Sequence, residues 1–230
     1  MAKHLDLEEQ EQLDDLKHFW KQYGNLITWA LIVVFGAVAA WNGYQYWQTR
    51  QSAQASVLYD EVERAAQAGD IDRLDRSFAD IKDRFGRTAF AQQAGLLAAK
   101  TYFDRDKLDA SRSALSWVAA SASDEAYQAV AKLRLAGLLL QTKAYAEADQ
   151  ALSGTFPKEF VSLAADRRGD ILAAQGNTQG AKAEYEKAYK GLDERAEYRR
   201  FVEVKLNALG ADPAPVTSAT SPATGLGTKP

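Results

Sequence analysis

The sequence contains no cysteine. It therefore has no disulfide framework, no thiolate metal site and no thiol nucleophile, and the absence suits an oxidising compartment without requiring one. Proline is almost as scarce in the body of the chain: Pro157 alone precedes Ala211, and Pro213, Pro215, Pro222 and Pro230 fall in the last eighteen residues. No basic run occurs and the formal net charge is -3, which excludes an evident nucleic-acid surface. The two histidines, His4 and His18, lack metal-ligand spacing and read as solvated or interfacial side chains. Glu8, Glu9, Glu11, Asp14 and Asp15 lie in a short leader with no pocket to raise a carboxyl pKa, so they read as a solvated face. Gly176-Asn177 followed by Gly180 lacks the preceding strand and following lysine of a phosphate cradle, and reads as a helix-helix turn. Nothing here predicts an enzyme, a cofactor or a metal.

What the chain has in abundance is uncharged residues, from 22 to 49, where 28 positions pass without an ionisable acid or base. As a helix this run is roughly 42 Å long at about 1.5 Å per residue, enough for a hydrocarbon core and both interfaces. Its centre, 26–41, is apolar all round except for Thr28, with Phe19, Trp20 and Tyr23 at one end and Tyr44, Tyr46 and Trp47 at the other. The reading is a transmembrane helix in a lipid bilayer. A cleaved signal peptide is the rival, since Ala37-Val38-Ala39 has the small-x-small form of a cleavage site; the acidic leader and the aromatics beyond Ala39 count against it. Lys17 and Lys21 before the span outweigh Arg50 after it, which predicts a cytoplasmic N-terminus and about 180 residues on the outer side. Leu13, Leu16, Phe19 and Trp20 are spaced as a short amphipathic helix at the cytoplasmic face.

From residue 51 to 210 the pattern is helical, with breaks at Gly69-Asp70, Gly86, 104–106, 121–123, 154–157, Gly176-Asn177 and Gly191. It also repeats. Ala99, Ser111 and Leu115 correspond to Ala136, Ala148 and Leu152 and to Gly169, Ala181 and Tyr185, with internal spacings of twelve and four and copies 37 and 33 residues apart. Small residues on two helices let them cross closely and a larger one fills the space beside them, the layout of tetratricopeptide-type repeats. Leu74, Phe78, Ile81 and Phe85 read as an imperfect pair before the three copies, and Phe201, Val202, Leu206 and Leu209 as a cap after them. The expected fold is all-α: a single transmembrane helix and a tetratricopeptide-like solenoid. The expected organisation is a cytoplasmic leader (1–21), a span (22–49), a helical-repeat domain (50–210) and a disordered Pro/Ser/Thr/Ala tail (211–230).

Several stretches also resemble a known family. "QLDDLKHFWKQYG" from Gln12, "YQYW" from Tyr44, "SDEAYQAVAKLRLAGLLLQ" from Ser123, "AADRRGDILAAQGNTQGAKAEYEKA" from Ala164 and "VKLNAL" from Val204 are similar to the YfgM-type ancillary subunits of the SecYEG translocon. The acidic start and the terminal tail depart from that pattern. The resemblance implies a single-pass protein of the bacterial inner membrane with a periplasmic repeat domain. It also implies a role in passing secreted clients from the SecYEG translocon to periplasmic chaperones, commonly beside the membrane-anchored chaperone PpiD.

The candidate site is a peptide-binding groove on the concave side. Spacing from the small residues places Leu96, Lys100 and Phe103, then Val130, Leu133 and Leu140, then Leu163, Asp166 and Asp170 on its exposed stripe, an apolar surface ending in acids. Permanent cover by the helix over 51–68, or by a partner's helix, is the alternative. Within the span, Gly36 with Ala40 and Ala39 with Gly43 form small-xxx-small pairs that would admit another helix. The function expected is a non-enzymatic membrane-anchored adaptor; the alternative is a repeat scaffold that organises envelope or division machinery without binding clients.

Overall fold

The computed structural model describes residues 7–211, and the side chains of 7–12 and 14–16 are not among those described. Expectations placed on Lys3, His4 and the tail after Ala211 lie outside the described residues, and those placed on the leader carboxylates and Leu16 concern side chains that are not described. Among the described residues every regular element is helical: α1 (Leu7–Ala68), α2 (Ile71–Phe85), α3 (Ala89–Asp104), α4 (Leu108–Ser121), α5 (Glu125–Gln141), α6 (Tyr145–Ala151), α7 (Val161–Ala174), α8 (Thr178–Gly191) and α9 (Glu197–Ala208), with a 3₁₀ turn at Lys158–Phe160. The chain divides into two units, Met1–Gln54 and Ala55–Pro230.

In the first unit α1 carries the apolar run, and only 6% of its most apolar stretch is buried. A core helix of a soluble domain would be covered there. The helix is long and apolar enough to cross a membrane. Its one polar side chain in the apolar centre is satisfied locally, because Thr28 Oγ1 donates to the Gly24 carbonyl at 2.7 Å. Phe19 and Tyr23 stack at 5.1 Å at one end, and Tyr44 and Trp47 lie 6.2 Å apart at the other, with the Arg50 guanidinium 4.7 Å from the Tyr46 ring. Gly36, Ala39, Ala40 and Gly43 are all exposed. No helix break marks residue 21 or 49.

In the second unit α3 pairs with α4, α5 with α6 and α7 with α8, the last turns of α1 share a core with α2 through Val62, Ala65, Leu74 and Ile81, and α9 is the last helix among the described residues. The first helices of the pairs end in one recurring device. Gly69, Asp106, Lys143, Gly176 and Gly210 all adopt left-handed backbone, with φ of 64, 55, 61, 78 and 70°, at intervals of 37, 37, 33 and 34 residues. The end of α1 is thus the opening helix of the first repeat, and α9 is the opening helix of a fifth, with no second helix among the described residues. The α5–α6 turn contains neither glycine nor proline, which is why it gave no break signal; Lys143 takes the left-handed position that glycine fills at Gly69, Gly176 and Gly210 and aspartate at Asp106. Two of the second helices, α2 and α8, are capped at their starts by polar side chains: Asp70 Oδ1 accepts from Arg73 N at 3.0 Å and Asn177 Oδ1 from Gly180 N at 2.9 Å, whereas α4 and α6 start at Lys107 and Ala144 without a side-chain cap.

The nine repeat positions are all buried. Ser111 Oγ donates to the Ala99 carbonyl at 2.8 Å, closing the α3–α4 crossing, and a Cβ on Gly169 would stand 2.4 Å from the Tyr185 ring. Leu74 and Phe78 precede Ser111 and Leu115 by 37 residues and are buried in the same way. The capping expectation needs one correction. α9 turns Val202 and Leu206 inward, one helical turn apart, and leaves Phe201, about 100° round the helix, 64% exposed. Ala211 is buried against α9 and its neighbours, so the packed domain continues one residue beyond 210.

Candidate functional site

The structure separates the nine stripe residues into three environments. Phe103 is 38% exposed, and Lys100 is exposed and paired with Asp104 at 2.5 Å. Val130, Leu133 and Leu140 are half-buried against the main core, Leu163 is half-buried on α7, and Leu96 belongs to the core itself. Asp166 is 1% exposed rather than on an open surface. α9 lies over it: Tyr198 OH donates to Asp166 Oδ2 at 2.6 Å and Lys205 Nζ to both its oxygens at 2.8 Å. Asp170 is half-buried and accepts from Tyr185 OH at 2.9 Å, Lys205 Nζ at 2.7 Å and Arg167 Nη1 at 3.1 Å. The acids expected to end an exposed stripe instead hold the last helix in place. Spacing alone could not reveal this, because it cannot show which element covers a face.

This packing shifts the tyrosines. Burial, then the Asp170 charge and hydrogen bond, pushes the Tyr185 phenol far above its ordinary value; burial, then the hydrogen bond to Asp166, does the same for Tyr198. Tyr102, which donates to Asp75 Oδ1 at 2.5 Å, is raised by burial first and then by that bond. These are structural phenols held protonated by burial first and by their carboxylate partners second.

An open cavity of about 360 Å³ lies among α3, α4, α5 and α7. Lys100 and Phe103 line it, as expected of the stripe, together with Leu115, Leu138 and Gln141. Sequence reasoning named neither Leu138 nor Gln141, and it also missed Arg134, Gly137 and Arg167. A signal for two of them was present, since Arg134 and Arg167 are 33 residues apart and so occupy the same place in consecutive repeats. Arg134 Nη1 reaches the Leu96 carbonyl at 3.4 Å, and the buried Arg167 Nε has no hydrogen-bond partner. The cavity therefore joins apolar walls to guanidinium donors. Among the described residues no group of three or more His, Cys, Asp or Glu side chains could hold a metal ion.

A family profile described as "Tetratricopeptide repeat-like domain" matches residues 17–211, most of the chain. The "Ancillary SecYEG translocon subunit" of Neisseria gonorrhoeae is 32% identical over 213 residues, which cover 91% of this chain and 100% of that one. The chain belongs to the family of ancillary SecYEG translocon subunits. Members from Escherichia coli and Haemophilus influenzae carry the same name; they are 26% and 27% identical, over 87% and 88% of this chain and 96% and 98% of their own. The matched region of this family member begins in α1 ahead of the apolar run, so the long helix and the repeats are matched together.

Proposed function

We propose that this chain is a single-pass adaptor of the bacterial inner membrane that associates with the SecYEG translocon and binds proteins through the concave side of its repeats. The observation that carries the reading is the match, over about nine-tenths of this chain, to relatives named as translocon subunits. The leader (1–21) stays in the cytoplasm, α1 crosses the bilayer over 22–49, and the repeats over 50–210 stand in the periplasm. Lys17 and Lys21 favour that orientation. Gly36, Ala39, Ala40 and Gly43 offer a close-approach surface to a neighbouring span. The adaptor hands emerging secreted clients to periplasmic chaperones, with a membrane-anchored chaperone of the PpiD type as partner, and does no chemistry itself. Anchoring raises the effective concentration of a weak binder at the translocon exit, so individual contacts can be modest.

The test is site-specific cross-linking in cells. A photo-cross-linker at Phe103 should capture secreted chains stalled during export or a membrane-anchored chaperone, and Phe103→Glu should weaken association with both. Cross-links confined to envelope or division proteins would favour the scaffold reading instead.

A further inference from the structure

The repeat register makes two equivalent positions unequal. Arg134 on α5 and Arg167 on α7 are separated by 33 residues, the interval that also separates Ala136 from Gly169. Three residues after Arg167 stands Asp170, whose carboxylate pairs with it at 3.1 Å. Three residues after Arg134 stands Gly137, which has no side chain. Among the described residues no carboxylate pairs with Arg134, an exposed side chain whose guanidinium makes one long hydrogen bond, to the Leu96 carbonyl at 3.4 Å.

The missing side chain leaves space beside Gly137. The cavity of about 360 Å³ is lined by Gly137, Arg134 and Arg167. A Cβ built on Gly137 would meet nothing nearer than Arg167 Cζ at 3.6 Å, an ordinary van der Waals contact. The buried Arg167 Nε is left without an acceptor. Lys100 is neutralised by Asp104 and Arg167 by Asp170, so the uncompensated charge at the cavity is that of Arg134. Phe103, Leu115 and Leu138 supply apolar wall.

We propose that this cavity receives an acidic side chain from an apolar segment of a partner polypeptide, supplying beside Gly137 the carboxylate that the following repeat supplies for itself with Asp170. The inference rests on the protein-binding reading given above. A guanidinium fork selects a planar carboxylate over a neutral amide, and the apolar wall selects an aliphatic or aromatic neighbour in the bound segment.

Fluorescence anisotropy with the full-length chain in detergent micelles tests it, with empty micelles as the blank. The probes are a labelled peptide with the core Leu-Phe-Glu-Leu-Phe and both ends capped, its Leu-Phe-Gln-Leu-Phe analogue, and that glutamine peptide with a free C-terminal carboxylate. The capped glutamate peptide should bind about tenfold or more tightly than the capped glutamine peptide, the size expected of one charge-assisted hydrogen-bonded pair. Arg134→Gln should abolish the preference and Arg134→Lys should keep part of it. Gly137→Asp should abolish it too, by placing the carboxylate internally, at a helix position where aspartate is no worse than glycine. Circular dichroism melts check that the variants stay folded. Equal binding of the two capped peptides would overturn this inference and leave the protein-binding reading standing, as would binding by the free-terminus peptide alone. Binding by no peptide up to millimolar concentration would overturn this inference, and if a cross-linker at Phe103 also captures neither secreted chains nor a membrane-anchored chaperone, the protein-binding reading falls with it.

Discussion

Single residues decide how closely the paired helices approach. Gly169 faces the Tyr185 ring, which is fixed by Asp170 and by the Lys205 ammonium 5.2 Å from its centroid, so the ring cannot yield to a methyl group. Gly169→Ala should destabilise the domain by about 1–3 kcal/mol, read as a lower midpoint in urea unfolding of the detergent-solubilised chain. Lys143 presents the converse case, a lysine in left-handed backbone at φ 61°. Lys143→Gly should raise stability by about 0.5–1 kcal/mol in the same assay, since glycine relieves the Cβ clash but gives up more chain entropy on folding. Asp166 is buried with Tyr198 and Lys205 as partners, and Asp166→Ala should cost about 2–3 kcal/mol by stranding their donors.

At the scale of elements, the last helix depends on charge as well as on packing. Val202 and Leu206 fill the space beside α8, while Tyr198 and Lys205 reach across to the acids of α7. Lys205→Met keeps the length of the side chain but removes the cation from two carboxylates that Arg167 and the tyrosines then only partly satisfy. Amide hydrogen exchange should rise over α9 and the second half of α7 in this variant, with α3 to α5 unchanged; uniform exchange throughout the domain would contradict this account of the latch.

For the whole molecule, the raised tyrosines set the alkaline limit of stability. Tyr102, Tyr185 and Tyr198 all ionise above the ordinary 10.0 in the folded chain. Their contribution is intact below that value. As pH rises past it the unfolded chain loses phenolic protons that the folded chain retains, so stability falls toward the folded values. Thermal midpoints should hold up to about pH 9.5 and fall beyond it, and Tyr102→Phe should make the fall shallower. Topology is tested at the same scale: single cysteines at Gln10 and Ser153, in a chain with none of its own, should be labelled by an impermeant maleimide in intact cells at Ser153 only.

The sequence by itself determined the helical class, the apolar helix and the repeat, because each rests on composition or periodicity along the chain. The spacing of Ala99, Ser111 and Leu115 and its two copies named nine positions that are all buried. Tertiary structure decided what periodicity cannot carry, namely which faces remain open once the helices have stacked. It buried Asp166 beneath α9, turned Phe201 outward and left Phe103 accessible. It also opened a cavity where Gly137 stands in the place that Asp170 holds one repeat later. A local pattern fixes the direction of a side chain relative to its own helix, but burial and pairing depend on neighbours brought in from 30 to 40 residues away, such as Lys205 on Asp166 and Tyr198 on the same carboxylate.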